Sequence, residues 1–132
     1  QIKTHQYKDK IILTGFLSPQ EIKKKLEQTN IYIQPSLKEG LGISAMEAMA
    51  MECPCIFSKT GGLIELADNE NNAILVPCKD SKAIAEAAVE IFRNSEKSKL
   101  MAKNGRNFII NNFNLELISR QHYKLYKKIL SN

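Results

Sequence analysis

Four short runs rich in Ile, Leu, Val, Tyr and Phe punctuate the chain: KIILTGF (10–16), IYIQPS (31–36), PCIFSK (54–59) and AILVP (73–77). Their length and their β-branched and aromatic content read as buried strands rather than helices. Pro35 and Pro77 stop two of them, because proline cannot donate to a sheet ladder. Helix-forming stretches lie between the runs. SPQEIKKKLEQTN (18–30) opens with Ser18 as N-cap, Pro19 in the first position and Glu21 three residues after the cap, and places Ile22 and Leu26 on one face. GISAMEAMAM (42–51) is built of strong helix formers. TGG (60–62) reads as a glycine turn and LIELADN (63–69) as one or two helical turns. Strands alternating with helices make βαβ units, so the expected fold is α/β, a parallel sheet with helices on both faces.

A helical tail follows. DSKAIAEAAVEIFRN (80–94) has a capping aspartate and apolar positions at Ile84, Ala88, Ile91 and Phe92. SEKSKLMAKNGRNFIINNF (95–113) reads as a helix weakened at Gly105. NLELISRQHYKLYKKIL (114–130) caps at Asn114 and carries Leu117, Ile118, Leu125, Ile129 and Leu130. The 132 residues suit one domain, with an α/β body over 8–113 and a C-terminal helix over 114–132.

Composition narrows the classes. The hydrophobic share of 43% is that of a globular core. No apolar run reaches the ~20 residues that span a bilayer. The opening QIKTHQYKDK carries no apolar signal segment, and its charged start without Met reads as a piece of a longer protein. Cys53, Cys55 and Cys78 are odd in number and lack framework or zinc spacing, and read as small buried hydrophobes in a reducing cytosol. His5 and His122 are isolated and read as surface residues. The net charge of +5 is spread along the chain. Aromatic residues are few and not interleaved with basic ones, which argues against a nucleic-acid partner.

The chemistry concentrates in SLKEGLGISAMEAMAMECPC (36–55). It follows a strand and leads into a helix, which is where ligands bind at the carboxyl ends of parallel strands. Gly40 and Gly42 flank Leu41 at the helix mouth. Glycine admits close approach, and a helix N-terminus offers unpaired N–H groups and partial positive charge, a site suited to phosphate. Glu39 stands beside that anion site and Glu47 two turns up the helix, inside an apolar run. Neither carboxylate suits a phosphate, but both accept from hydroxyls. Two such acceptors around one anion site fit a diphosphate with a polyhydroxyl group at each end, as in a nucleotide-sugar.

The stretch PSLKEGLGISAMEAMAMECPCIFSKTGGLIEL resembles the core motif of the retaining GT-B glycosyltransferases of the group 1 (family 4) type. Glu39 and Glu47 hold the family's Glu-to-Glu spacing. A Gly-Gly-x-x-Glu loop follows at Gly61, Gly62 and Glu65, and IILTGFLSPQEIKKKLEQTNIYIQPS and NNFNLELISRQHYKLYKKIL also match. The resemblance implies a Rossmann-like C-terminal donor-binding domain that lacks its first strands and its N-terminal acceptor domain. By the same resemblance, Glu39 is the catalytic glutamate that contacts the donor sugar. Backbone amides at Gly40, Leu41 and Gly42, after Ser36, hold the diphosphate. Glu47 binds the ribose, and Gly15 and Phe16 lie beside the base. Transfer retains configuration and needs no metal or other cofactor. The expected partners are a nucleotide-sugar donor, the missing acceptor domain and an acceptor lipid at the membrane surface. The expected role is cell-surface polysaccharide, lipopolysaccharide or glycolipid synthesis. The expected place is the cytoplasm, peripheral to the inner face of the membrane. Two departures stand out: Glu52-Cys53-Pro54 replaces the family's Cys-Gly-Thr-Pro, and NENNAIL lacks its usual glycine. A stand-alone nucleotide-sugar-binding module and a sugar-nucleotide epimerase of the same architecture are the alternatives.

Overall fold

The computed structural model describes residues 6–68 and 71–131. Three parallel strands, β1 (Tyr32–Gln34), β2 (Cys55–Ser58) and β3 (Ile74–Val76), pair in the order β1-β2-β3. Ile33 pairs with Ile56 and Phe57 with Leu75 in register. Among the described residues a 3-10 turn (Lys8–Lys10) and six α-helices accompany them: α1 (Pro19–Leu26), α2 (Ile43–Ala50), α3 (Gly62–Leu66), α4 (Ser81–Arg93), α5 (Ser95–Phe113) and α6 (Leu115–Leu130). β2 is buried at every residue, as a central strand covered on both faces must be.

Two apolar clusters lie on opposite sides of the sheet. On one, Ala45, Ala48 and Met49 of α2 pack with Phe57, Leu63, Leu66 and Ile109. On the other, Ile56 and Val76 pack with Ala87 and Ile91 of α4 and Met101 of α5. Buried positions of α2 recur at the three- and four-residue spacing of one helix face, which leaves Glu47 on the opposite, exposed side. In α4, Ile91 is buried and Ile84 and Ala88 are half-buried, but Phe92 lies on the outer side and is 69% exposed.

The sequence expectations hold for most elements. Ser18 and Glu21 form the expected capping box, with Pro19 opening α1. Asp80 caps α4 and Asn114 caps α6 through their side chains. α5 runs unbroken through Gly105. The glycine sits where the helix passes close to its neighbours, since a β-carbon there would meet the Asn72 carbonyl at 3.1 Å and Met49 at 3.5 Å. The shortened Glu52-Cys53-Pro54 turn closes because Glu52 adopts φ +57° and the Cys53 N–H donates to the Ala48 carbonyl.

The expected strand at 11–16 is a correction. This segment is unpaired, and Ile12 and Leu13 are each 78% exposed. A strand exists only against a neighbour, and here β1 is the last strand on its side of the sheet. Cys53 and Cys55 are free and buried as expected, whereas Cys78 is only half-buried. α6 also buries none of its residues, and its apolar side, with Leu125, Ile129 and Leu130, is exposed. His122 stacks on Tyr126 along this helix at 6.1 Å, and His5 lies outside the described residues. No helix among the described residues is long and apolar enough to cross a membrane.

Candidate functional site

The loop from Pro35 to Gly42 leaves the carboxyl end of β1 and turns into α2. It owes its path to two glycines of the following unit. The Gly62 N–H donates to the Gly40 carbonyl at 3.0 Å, and the Thr60 hydroxyl donates to the Leu37 carbonyl at 3.2 Å. β-Carbons at Gly61 and Gly62 would stand 1.8 Å from the Glu39 carbonyl oxygen and 2.3 Å from that of Gly40. The loop therefore rests on backbone that only glycine leaves bare. Gly42, at φ +81°, ends the loop and caps α2 without a side chain, so the first-turn N–H groups of the helix meet no side-chain acceptor.

A polar chain runs from the sheet to Glu39. The Tyr32 phenol donates to Gln34 Oε1 at 2.8 Å, and Gln34 Nε2 donates to Glu39 Oε2 at 2.5 Å. Ser36 Oγ donates to the same carboxylate oxygen at 3.3 Å, and the Gly40 N–H donates to Glu39 Oε1 at 3.1 Å. Donors fix the carboxylate from three directions while it stays half-buried. Burial first, then the proximity of the Cys55 thiol and of the Glu47 and Glu39 carboxylates, push the Tyr32 phenol up to about 12, while a hydrogen bond with Ser44 works the other way. The phenol is thus a neutral donor at ordinary pH, and Glu39, Glu47 and Ser44 gather around it.

Glu47 is exposed on the second turn of α2 and forms no hydrogen bond or ion pair among the described residues. It stands at the edge of an apolar groove between α1 and α2, walled by Pro19, Ile22, Leu26, Ala50 and Met51. The structure brings together Ser36, Glu39, Gly40, Leu41, Gly42 and Glu47. Gly15 and Phe16 are not joined to them by any hydrogen bond or ring contact among the described residues, and Phe16 is 97% exposed. Tyr32, Gln34 and Ser44 were missed by sequence reasoning. The alternation of a strand, which sends Tyr32 and Gln34 to the same face, is the signal that links those two.

The chain is similar to known proteins in sequence and in fold. The family model for group 1 glycosyl transferases matches residues 1–108. Sucrose-phosphate synthase from Thermosynechococcus elongatus superposes with a TM-score of 0.86 at 31% identity, covering 93% of this chain and 31% of that one. The C-terminal domain of a group 1 glycosyl transferase from Francisella tularensis superposes at 0.71 with 30% identity, over 76% of this chain and 52% of that one. The UDP-Gal:alpha-D-GlcNAc-diphosphoundecaprenol alpha-1,3-galactosyltransferase of Escherichia coli is 31% identical over 108 residues, 82% of this chain and 27% of its own length. The chain thus spans about a third or less of the full-length relatives it matches. With its GT-B, Rossmann-like architecture and its match over most of its length, this chain belongs to the group 1 glycosyl transferase family.

Proposed function

We propose that this chain is the donor-binding part of a retaining glycosyltransferase, and that it takes a nucleotide-sugar between the Glu39 loop and α2. The observation that carries the reading is the pairing of two carboxylates in opposite states beside one helix mouth. Glu39 is held in place by Gln34, Ser36 and the Gly40 N–H, and Glu47 is exposed without a partner. A positioned carboxylate acts on a reacting sugar, because its geometry is set before the substrate arrives. An unpaired carboxylate beside an apolar groove suits a nucleoside, with ribose hydroxyls donating to Glu47 and the base against Pro19 and Ile22. The diphosphate then meets the uncapped N–H groups behind Gly42, where the helix dipole favours negative charge. In this reading the leaving diphosphate is held by backbone amides, without a metal.

The relatives' names support the substrate class. The E. coli relative is named for UDP-Gal as donor and a diphosphoundecaprenol-linked sugar as acceptor, and a Staphylococcus aureus relative is named for capsular polysaccharide biosynthesis. We extend from these to a role in surface polysaccharide or glycolipid synthesis on a lipid acceptor at the inner face of the membrane. The acceptor domain belongs to the remainder of the longer protein, and Gly15 and Phe16 reach the base only once their segment has a neighbouring strand. The test is Glu39→Ala in the longer enzyme. Loss of one positioned polar group is expected to lower turnover by about 10²–10³, or ~2–4 kcal/mol, with the domain still folded. Near-normal turnover would overturn the assignment.

A further inference from the structure

The carboxyl edge of the sheet carries three lysines that the reading above leaves without a role. Lys38 stands in the loop after β1, Lys59 directly follows β2, and Lys79 follows β3 after Pro77 and Cys78. The strands are parallel, so all three loops leave the same edge. Backbone contacts knit them together. The Lys59 N–H donates to the Val76 carbonyl at 2.8 Å, and the Thr60 hydroxyl reaches Leu37 next to Lys38. The Cys78 thiol, next to Lys79, lies 3.7 Å from the Lys59 carbonyl and 3.8 Å from that of Ser36. The result is one contiguous rim beside Ser36 and Glu39.

All three lysines are exposed, and none pairs with an acid among the described residues. Lys23, Lys82, Lys99 and Arg120 each pair with a glutamate three or four residues away, whereas Lys24, Lys25, Lys103, Lys124, Lys127 and Lys128 form no ion pair among the described residues either, so it is their shared place on one edge that sets the three apart. The carboxylates next in sequence to two of the lysines are hydrogen-bonded, Glu39 by three donors and Asp80 by the Ala83 N–H, and both keep their charge beside the rim. A second observation is independent of charge. Lys79 adopts φ +62°, a left-handed conformation that glycine takes without strain. A strained side-chain-bearing residue at the ligand-binding edge of an α/β sheet points to use of that side chain.

We propose that Lys38, Lys59 and Lys79 form a phosphate-binding rim. The proposal rests on the nucleotide-sugar reading for the source of the phosphate, either the donor diphosphate or a phosphorylated acceptor. Lysine suits this work because a point charge on a long stem follows a mobile anion. The test is a titration of isotope-labelled chain with inorganic pyrophosphate at low ionic strength, read by amide resonances. Shifts are expected at 36–39, 58–61 and 77–80. The Lys38→Gln/Lys59→Gln/Lys79→Gln variant is expected to raise the apparent Kd about fivefold or more. Lys124→Gln/Lys127→Gln/Lys128→Gln, the same charge loss on α6, is expected to leave it within about twofold. Equal weakening by both variants, or shifts centred on α6, would overturn the rim as mere attraction to net charge. Lys79→Gly separates strain from binding. It is expected to raise the melting temperature and weaken pyrophosphate, and stabilisation with unchanged binding would remove Lys79 from the proposal. UDP provides the last arm. UDP shifts at 40–48 with a rim silent to pyrophosphate would overturn the rim and leave the nucleotide-sugar reading standing. The opposite pattern would uphold the rim and overturn that reading. Where both respond, rim shifts that persist in saturating UDP assign it to an acceptor phosphate, and shifts that vanish assign it to the donor's own.

Discussion

Gly61 lies directly beneath Glu39: a β-carbon on Gly61 would stand 1.8 Å from the Glu39 carbonyl oxygen. Gly61 also holds φ +47° and ψ −140°, a backbone state open almost only to glycine. The glutamate is thus placed by a residue more than twenty positions away in sequence, across the loop-to-loop contact. Gly61→Ala is expected to push the Glu39 loop off its seat and to destabilise the domain by about 1–3 kcal/mol. Chemical denaturation measures the loss. An alanine variant as stable as the parent would show that the loop is not seated on Gly61.

Glu47→Ala separates binding from folding. The carboxylate is exposed and unpaired, and alanine is the better helix former, so stability should hold or rise by a few tenths of a kcal/mol. Nucleotide-sugar affinity should fall by ~1.5–3 kcal/mol, the worth of charged hydrogen bonds to hydroxyls. A collapse in melting temperature with affinity retained would make Glu47 structural.

Tyr32 sets an alkaline limit. Its phenol is pushed up to about 12 by burial and neighbouring negative charge. An unfolded tyrosine titrates near about 10, so the folded state keeps a proton that the unfolded state has lost. The stabilisation is whole below about pH 10 and is lost as pH rises through about 12. Burial raises the Cys53 and Cys55 thiols in the same sense. The melting temperature is expected to fall steadily above about pH 9, and Tyr32→Phe should flatten the part above about 10. An identical slope in the variant would contradict this.

Much of this was legible in the sequence because it is local. Ser18 and Glu21 are three residues apart and cap α1 by themselves. The βα rhythm declares a parallel sheet, and Glu39, the glycines and Glu47 mark the loop and helix on which the proposed site is built. What depends on distant partners was not legible. The apolar run 11–16 has strand composition, but pairing is a property of two strands, and β1 leaves its side of the sheet without one. Tyr32 and Gln34 read as strand residues, and nothing in their spacing says that Glu39 folds back onto Gln34. The left-handed conformation of Lys79 is invisible where sequence rules expect glycine. Gly105 read as a weakness because propensity counts the helix alone, whereas the close passage of Asn72 and Met49 is tertiary.

The apolar side of α6 gives a contrast within one chain. Ile91 of α4 is buried, and Ile91→Ala should cost about 2–5 kcal/mol. Ile129 is 62% exposed, and Ile129→Ala should stay within about 0.5 kcal/mol. A large loss at Ile129 would mean that this side is covered in solution by another part of the chain or by a second copy.

The central claim, that a nucleotide-sugar binds between the Glu39 loop and α2, is tested most directly by titrating this chain with UDP-glucose while following its amide resonances. Binding is expected to be weak, in the millimolar range, because exposed helix-end dipoles contribute only ~0.3–1 kcal/mol each. No transfer is expected, since proximity to an acceptor, which accounts for ~7–11 kcal/mol of barrier lowering, is assigned in the proposed function to a part outside this chain. The shifts should centre on residues 36–48 and disappear in Glu47→Ala. Shifts centred elsewhere, or none at millimolar UDP-glucose, would contradict the claim.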